Sequence, residues 1–157
     1  MFTVRIENLI ERPEAIEQLA QWHYREWAHL YPEQGLQDFI DDLQRSLRSE
    51  PIPATWVVTD GTEIWGSASV IEQDMTTNRH LSPWLANVYI HPDKRGQGLG
   101  GKLIAAVMEE CRQNGLAELF LFTPGQEYFY QTLGWTTLKR ERYQGETVSI
   151  MTARLQD

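Results

Sequence analysis

Residues 84–101 read WLANVYIHPDKRGQGLGG, and residues 102–115 continue KLIAAVMEECRQNG. An apolar run leads directly into Lys94-Arg95 and four of the chain's eleven glycines: Gly96, Gly98, Gly100 and Gly101. Beyond them Leu99, Leu103, Ile104, Val107, Met108 and Cys111 recur at three- and four-residue spacing. That spacing predicts a strand, a glycine turn and a helix with one apolar face, ended by Asn114-Gly115. Such a joint aims bare backbone N–H groups outward where the helix dipole is positive, which makes an anion site suited to a phosphate or pyrophosphate. Glycine lets the backbone approach the oxygens and reach positive φ, and Arg95 and Lys94 add charge-assisted contacts. The plainer alternative is a tight turn needed only for packing. A Walker loop would place Ser or Thr after Lys102, but Leu103 stands there, so the magnesium ligand is missing. A Rossmann fingerprint would lie near the first strand with Gly-x-Gly-x-x-Gly spacing, and here the spacing is Gly-x-Gly-x-Gly, late in the chain.

Outward from that joint, LAELFLF (116–122) is almost continuously apolar, as expected of a strand buried on both faces. The strand–helix–strand unit from Trp84 to Phe122 therefore demands parallel pairing. Upstream, FTVRIENLI predicts a first strand with Phe2, Val4 and Ile6 on one side. Pro13 opens a helix carrying Ile16, Leu19, Ala20, His23, Trp27 and Leu30, stopped by Pro32. A second short helix carries Leu36, Phe39, Ile40, Leu43 and Leu47. Residues 54–73 predict a hairpin with a two-residue turn at Asp60-Gly61. A polar loop, DMTTNRHLSP, then leads to Trp84. Downstream come a short helix, Gln126 to Leu133, ended by Gly134, and a closing hairpin around Gln144-Gly145. Strand, two helices, three strands, helix, strand, helix, two strands: the order predicts an α/β fold with a mixed sheet covered by helices.

Length and composition bound the class. At 157 residues, 41% of them apolar and six of them tryptophan, the chain is expected to form one globular domain over 1–157. A single cysteine, Cys111, excludes an internal disulfide framework and a cysteine zinc cage, and suits a reducing, cytoplasmic setting. The acidic N-terminal stretch reads as neither signal peptide nor anchor, and nothing approaches the ~18 consecutive apolar residues of a membrane span. A net charge of −8 argues against nucleic-acid binding. It either attracts a cationic substrate or simply keeps the protein soluble. No His/Asp/Glu cluster has metal-ligand spacing, and Cys111 sits on an apolar helix face as a core residue.

The stretch VYIHPDKRGQGLG resembles the Arg/Gln-x-x-Gly-x-Gly/Ala motif of the GNAT superfamily of acyl-CoA-dependent N-acetyltransferases, with Arg95, Gly98 and Gly100 at its defining positions. FYQTLGW (129–135) resembles that family's FYEKLGF segment, one helix and one strand further on. The element order matches as well, so the likeness spans essentially the whole chain. It implies a GNAT-like mixed sheet of about seven strands with helices on both faces, splayed between the two central parallel strands. It implies acetyl-CoA as donor, with the pyrophosphate on Arg95, Gly96, Gln97, Gly98, Leu99, Gly100 and Gly101. The pantetheine arm would pair along Val88, Tyr89 and Ile90 like an added strand.

Acyl transfer requires a neutral amine, a stabilised oxyanion and a proton for the departing thiolate. The family's tyrosine at the head of Tyr-x-x-x-Gly-aromatic matches Tyr130 as general acid, and as a cofactor contact. Tyr128 is the reserve candidate, off the motif spacing. The family has no fixed base. Glu72, closing the second hairpin strand, is the first candidate, with Asp74, His80 and His91 behind it. His23 and His29 read as packing or surface groups. Trp84, Trp22 and Trp27 are core residues or walls of an amine pocket. Asp38, Asp41 and Asp42 either attract a cation or form a solvated helix face. The implied function is acetyl transfer to a primary amine of a small molecule or peptide, with a homodimer in keeping with the family. The rival is a non-catalytic acyl-CoA sensor.

Overall fold

The computed structural model describes residues 4–156. Seven strands form one sheet: β1 (Arg5–Asn8), β2 (Ala54–Thr59), β3 (Ile64–Ile71), β4 (Trp84–Ile90), β5 (Glu118–Thr123), β6 (Thr136–Tyr143) and β7 (Glu146–Arg154). Their order across the sheet is β1-β2-β3-β4-β5-β7-β6. Only β4 and β5 pair in parallel; every other neighbour is antiparallel. The four α-helices are α1 (Ile16–Trp27), α2 (Leu36–Arg45), α3 (Leu99–Gln113) and α4 (Glu127–Thr132).

Strand alternation decides which helices cover which face. Trp56 and Val58 of β2 pack in one cluster with Leu99, Leu103, Ile104, Val107 and Cys111 of α3. Val57, between them, packs with Leu19 of α1 and Phe39 and Leu43 of α2 on the opposite side. Full burial of each α3 side chain is worth roughly 1.5–3 kcal/mol, so the apolar face read from sequence holds this helix to the sheet. Further along, β5 and β7 pack Phe120, Val148 and Ile150 with Trp84 and Tyr143, capped by Met75 from the loop before β4.

Two local expectations need correction or limits, and a third holds. The residues of the first strand expectation divide: Phe2 lies outside the described residues, Val4 is exposed, and pairing begins at Arg5. Leu9–Glu11 turns into a short 3-10 segment capped by Asn8. The β2–β3 connection is not a two-residue turn, since Asp60–Glu63 all lie outside the strands. Asp60 Oδ1 accepts from the backbone of both Thr62 and Glu63, at 2.8 and 2.7 Å, which wraps the loop around the carboxylate. The Gln144-Gly145 turn does form as read, with φ of 48° and 83°.

The feature that positions the site is a bulge in β4. Ser67 pairs with Tyr89 and Ser69 with Ala86, so Asn87 and Val88 together face one residue of β3. Asn87 takes φ 57° to do so.

Candidate active site

Trp84↔Phe120 is the one register pair between β4 and β5 among the described residues; beyond it the strands part. The gap opens into a cleft of about 470 Å³ lined by Val88, Tyr89, Ile90, Arg95, Gly96, Gly100 and Tyr130, with Trp27 on its α1 side. The glycine joint behaves as its composition dictates. Gly96 and Gly98 take φ of 79° and 78°, and Gly98 caps α3 in the left-handed region with open space beside it. Arg95 donates from Nε to the Ile90 carbonyl at 2.7 Å and lies over the Tyr89 ring. Gln97 and Gly98 are exposed next to the cleft, Leu99 turns into the core, and Gly101 faces Leu133. Lys94 is aimed elsewhere, with its ammonium 4.4 Å from the centre of the Trp65 ring.

Tyr130 is buried, its ring edge-on to Phe129 and Trp135. Its hydroxyl makes no hydrogen bond within the protein, and burial pushes the phenol above its usual range. Tyr128, the reserve candidate, is 79% exposed and lines neither cavity described here.

A second cavity, of about 370 Å³, lies between α2 and the ends of β2 and β3. Tyr31, Asp74 and Asn87 line both this cavity and the cleft, so the two meet there. Tyr31 donates to Asp74 Oδ1 at 2.5 Å. Desolvation lifts the Asp74 carboxyl to about 7; the Tyr31 hydrogen bond opposes that shift and the nearby Asp42 charge adds to it. Glu72 is exposed on the wall of the second cavity. His80 lines neither space, and His91 lies in a separate groove beside Trp22 and Trp65, where its Nδ1 accepts from Asp93 N–H. Of the α2 carboxylates only Asp42 reaches the second cavity, since Asp38 caps its own helix at Gly35 and Asp41 accepts from Gln37. Trp84 is core, with Nε1 donating to the Leu81 carbonyl.

Beneath the junction runs a buried polar chain that sequence reading missed. Ser67 donates to the carbonyl of the bulge residue Asn87 at 3.1 Å, and its oxygen lies 2.8 Å from His23 Nε2. Because that hydroxyl is spent as a donor, His23 supplies the Nε2 proton. Burial drives its pKa down to about 3, so the ring is neutral and suited to that role. Ser69 takes Thr55 at 2.8 Å and Asn87 Nδ2 at 3.4 Å. The small hydroxyl residues of β3 alternate inward as Ser67 and Ser69, a cue that polar side chains line one face. Nothing in the one-dimensional pattern ties them to His23, forty-four residues away.

The match to known proteins agrees with this geometry. Residues 51–137 match the family model described as an acetyltransferase (GNAT) domain, and the chain belongs to that family. The human N-acetyltransferase 8B is 26% identical over 109 residues, 67% of this chain and 48% of that protein. The chain spans less than half the length of the curated relatives it matches. Among solved structures, an aminoglycoside 6'-N-acetyltransferase complexed with coenzyme A superposes with a TM-score of 0.74 at 14% identity, covering 98% of both chains. A GNAT-family acetyltransferase from Streptococcus pneumoniae gives 0.70 at 17% identity, over 97% of this chain and 99% of its own. At those identities the shared property is the fold: a seven-strand mixed sheet with β4 and β5 parallel at its centre. No helix among the described residues is long and apolar enough to cross a membrane.

Proposed function

We propose that this protein transfers the acetyl group of acetyl-CoA to a primary amine by direct attack, with both substrates bound at once. The observation that carries the proposal is the cleft between β4 and β5, which has an unpaired strand edge along one side and the glycine start of α3 at its end. A pantetheine arm carries two amides and is extended, so it requires main-chain partners spaced like a missing strand; Val88, Tyr89 and Ile90 offer them. A pyrophosphate requires N–H donors and room, and Gly96 and Gly98 leave open space where any side chain would stand. Arg95 and Gly100 flank the same cleft.

Tyr130 would deliver its proton, or a strong hydrogen bond, to the departing thiolate. Its hydroxyl has no protein partner to surrender, and burial keeps it protonated at neutral pH. The bulge at Asn87–Val88 turns the β4 backbone at the level of the cleft, where a thioester carbonyl would need N–H donors. The test is a titration of purified protein with acetyl-CoA by thermal shift, followed by thiol release with an amine panel. Saturable stabilisation with amine-dependent thiol release supports the transferase. Stabilisation without turnover on any amine would leave a sensor of the donor, and no stabilisation would remove the donor site itself.

A further inference from the structure

We infer that the cavity between α2 and the ends of β2 and β3 is the acceptor site, that it takes a small cationic primary amine, and that Asp74 accepts that amine's proton. The inference rests on the proposed acetyl transfer and names its second substrate. Connection comes first. Asp74, Tyr31 and Asn87 are the residues common to the cavity and the donor cleft, so an amine lodged in one can reach a thioester in the other only past them.

Size and charge select the occupant. A volume of about 370 Å³ falls at the small end of ligand pockets and equals about a dozen water volumes, room for a small molecule. The two cations on its wall are already engaged, Arg45 with Asp42 and Arg48 with Glu50. Glu72 and Asp74 line the same space and have no cationic partner. The uncompensated charge facing the cavity is therefore negative. A positive group gains there and a carboxylate next to the amine loses. Apolar Phe39, Ile52 and Ile71 leave room for an aliphatic body.

Asp74 meets the requirements of the base better than the exposed Glu72. Tyr31 from the turn after α1 occupies Oδ1 and leaves Oδ2 for a ligand. The other charged or titratable groups around the pair are Asp42 and Arg45 of α2, Arg48 just after it, Glu72 on its own segment, Glu26 and the neutral, buried His23 of α1, and Tyr143 of β6. An ordinary carboxylate near 4 is a poor match for an ammonium; one lifted to about 7 is half ionised at neutral pH and a stronger base. The steps balance. The ammonium gives one proton to Asp74 and its freed lone pair forms the N–C bond. The C–S bond then breaks, and the thiolate, hydrogen-bonded by the Tyr130 hydroxyl, takes the proton that the acylated nitrogen loses, relayed through that hydroxyl. Asp74 passes its own proton to solvent, for a net release of one proton.

The experiment compares 1,4-diaminobutane, ethanolamine, glycine and a tetrapeptide as acceptors with saturating acetyl-CoA, across pH 5.5–9. Because only ionised Asp74 accepts a proton, kcat/KM for the diamine should rise with pH through a limb near 7. It should also exceed that for glycine by about tenfold or more. Asp74→Asn should remove the limb and lower kcat/KM by a factor of about 10²–10⁴, with the thermal shift on acetyl-CoA unchanged. Tyr31→Phe removes a hydrogen bond that favours the carboxylate, so the limb should move to higher pH. An Asp74→Asn enzyme within threefold of the parent that keeps the limb would overturn the assignment. So would a preference for glycine or the peptide, or donor binding with none of the four amines acetylated. Absence of any acetyl-CoA shift in the parent would instead strike the transferase proposal beneath it.

Discussion

Tyr130→Phe puts the mechanism under the sharpest strain. The substitution deletes one oxygen that makes no hydrogen bond in the protein and keeps the ring packed edge-on to Phe129 and Trp135, at centroid distances of 5.2 and 6.0 Å. No partner is orphaned, so folding stability should move by less than about 1 kcal/mol, and the apolar surroundings favour the variant. Catalysis is different. A free thiol has a pKa of about 8.5 and a free phenol about 10, and burial raises the Tyr130 phenol further. Complete proton transfer to a free thiolate is therefore uphill, and the hydroxyl acts best as a short donor that tightens as charge collects on sulfur. Losing it should cost turnover a factor of about 10²–10⁴, or roughly 2.7–5.5 kcal/mol of barrier. The assay is thiol release under saturating acetyl-CoA, with a single-turnover control so that product release does not hide chemistry. A loss seen only in the KM for the donor would reduce Tyr130 to an anchor. Turnover within threefold would mean that solvent or another group serves the thiolate, because under ~1 kcal/mol would have been lost.

Gly100→Ala should fold normally, since the new methyl would sit 3.5 Å from Phe129 in ordinary contact, yet weaken acetyl-CoA about tenfold by narrowing the cleft. Calorimetric affinity equal to the parent would count against the cradle. Gly98→Val should lose roughly 1–2 kcal/mol of stability to its φ of 78° even without donor, which thermal denaturation reports. Ser67→Ala should leave the His23 Nε2 proton without its acceptor, at a cost of about 1–3 kcal/mol in urea unfolding. It should also raise the KM for acetyl-CoA by loosening the Asn87 bulge, and an unchanged KM would show the bulge holds by itself. Ile104→Ala, at a fully buried α3 position, should destabilise by roughly 2–5 kcal/mol, and a measured loss below 1 would mean that this helix carries little of the core.

The sequence by itself determined the local grammar. Gly96 and Gly98 between an apolar run and an amphipathic one dictate a strand–turn–helix joint, because only glycine holds those left-handed angles without strain. The apolar spacing of α3 and the uninterrupted LFLF of β5 likewise follow from which faces must be buried, and the parallel pair follows from the helix between them. Arg95, Gly100 and Tyr130, singled out by the family resemblance, line one cleft. Tertiary structure decided what the sequence left open around the second cavity. Glu72 and Asp74 are near neighbours in the chain with the same chemistry, and sequence gave preference to Glu72. Packing separates them: Asp74 is half-buried against Tyr31 and near Asp42, and desolvation lifts its pKa, while Glu72 is exposed. Likewise His23 acts on the β4 bulge through Ser67 only because α1 is laid across the sheet. Desolvation and long-range hydrogen bonds depend on which segments meet in space, and no spacing within a segment encodes them.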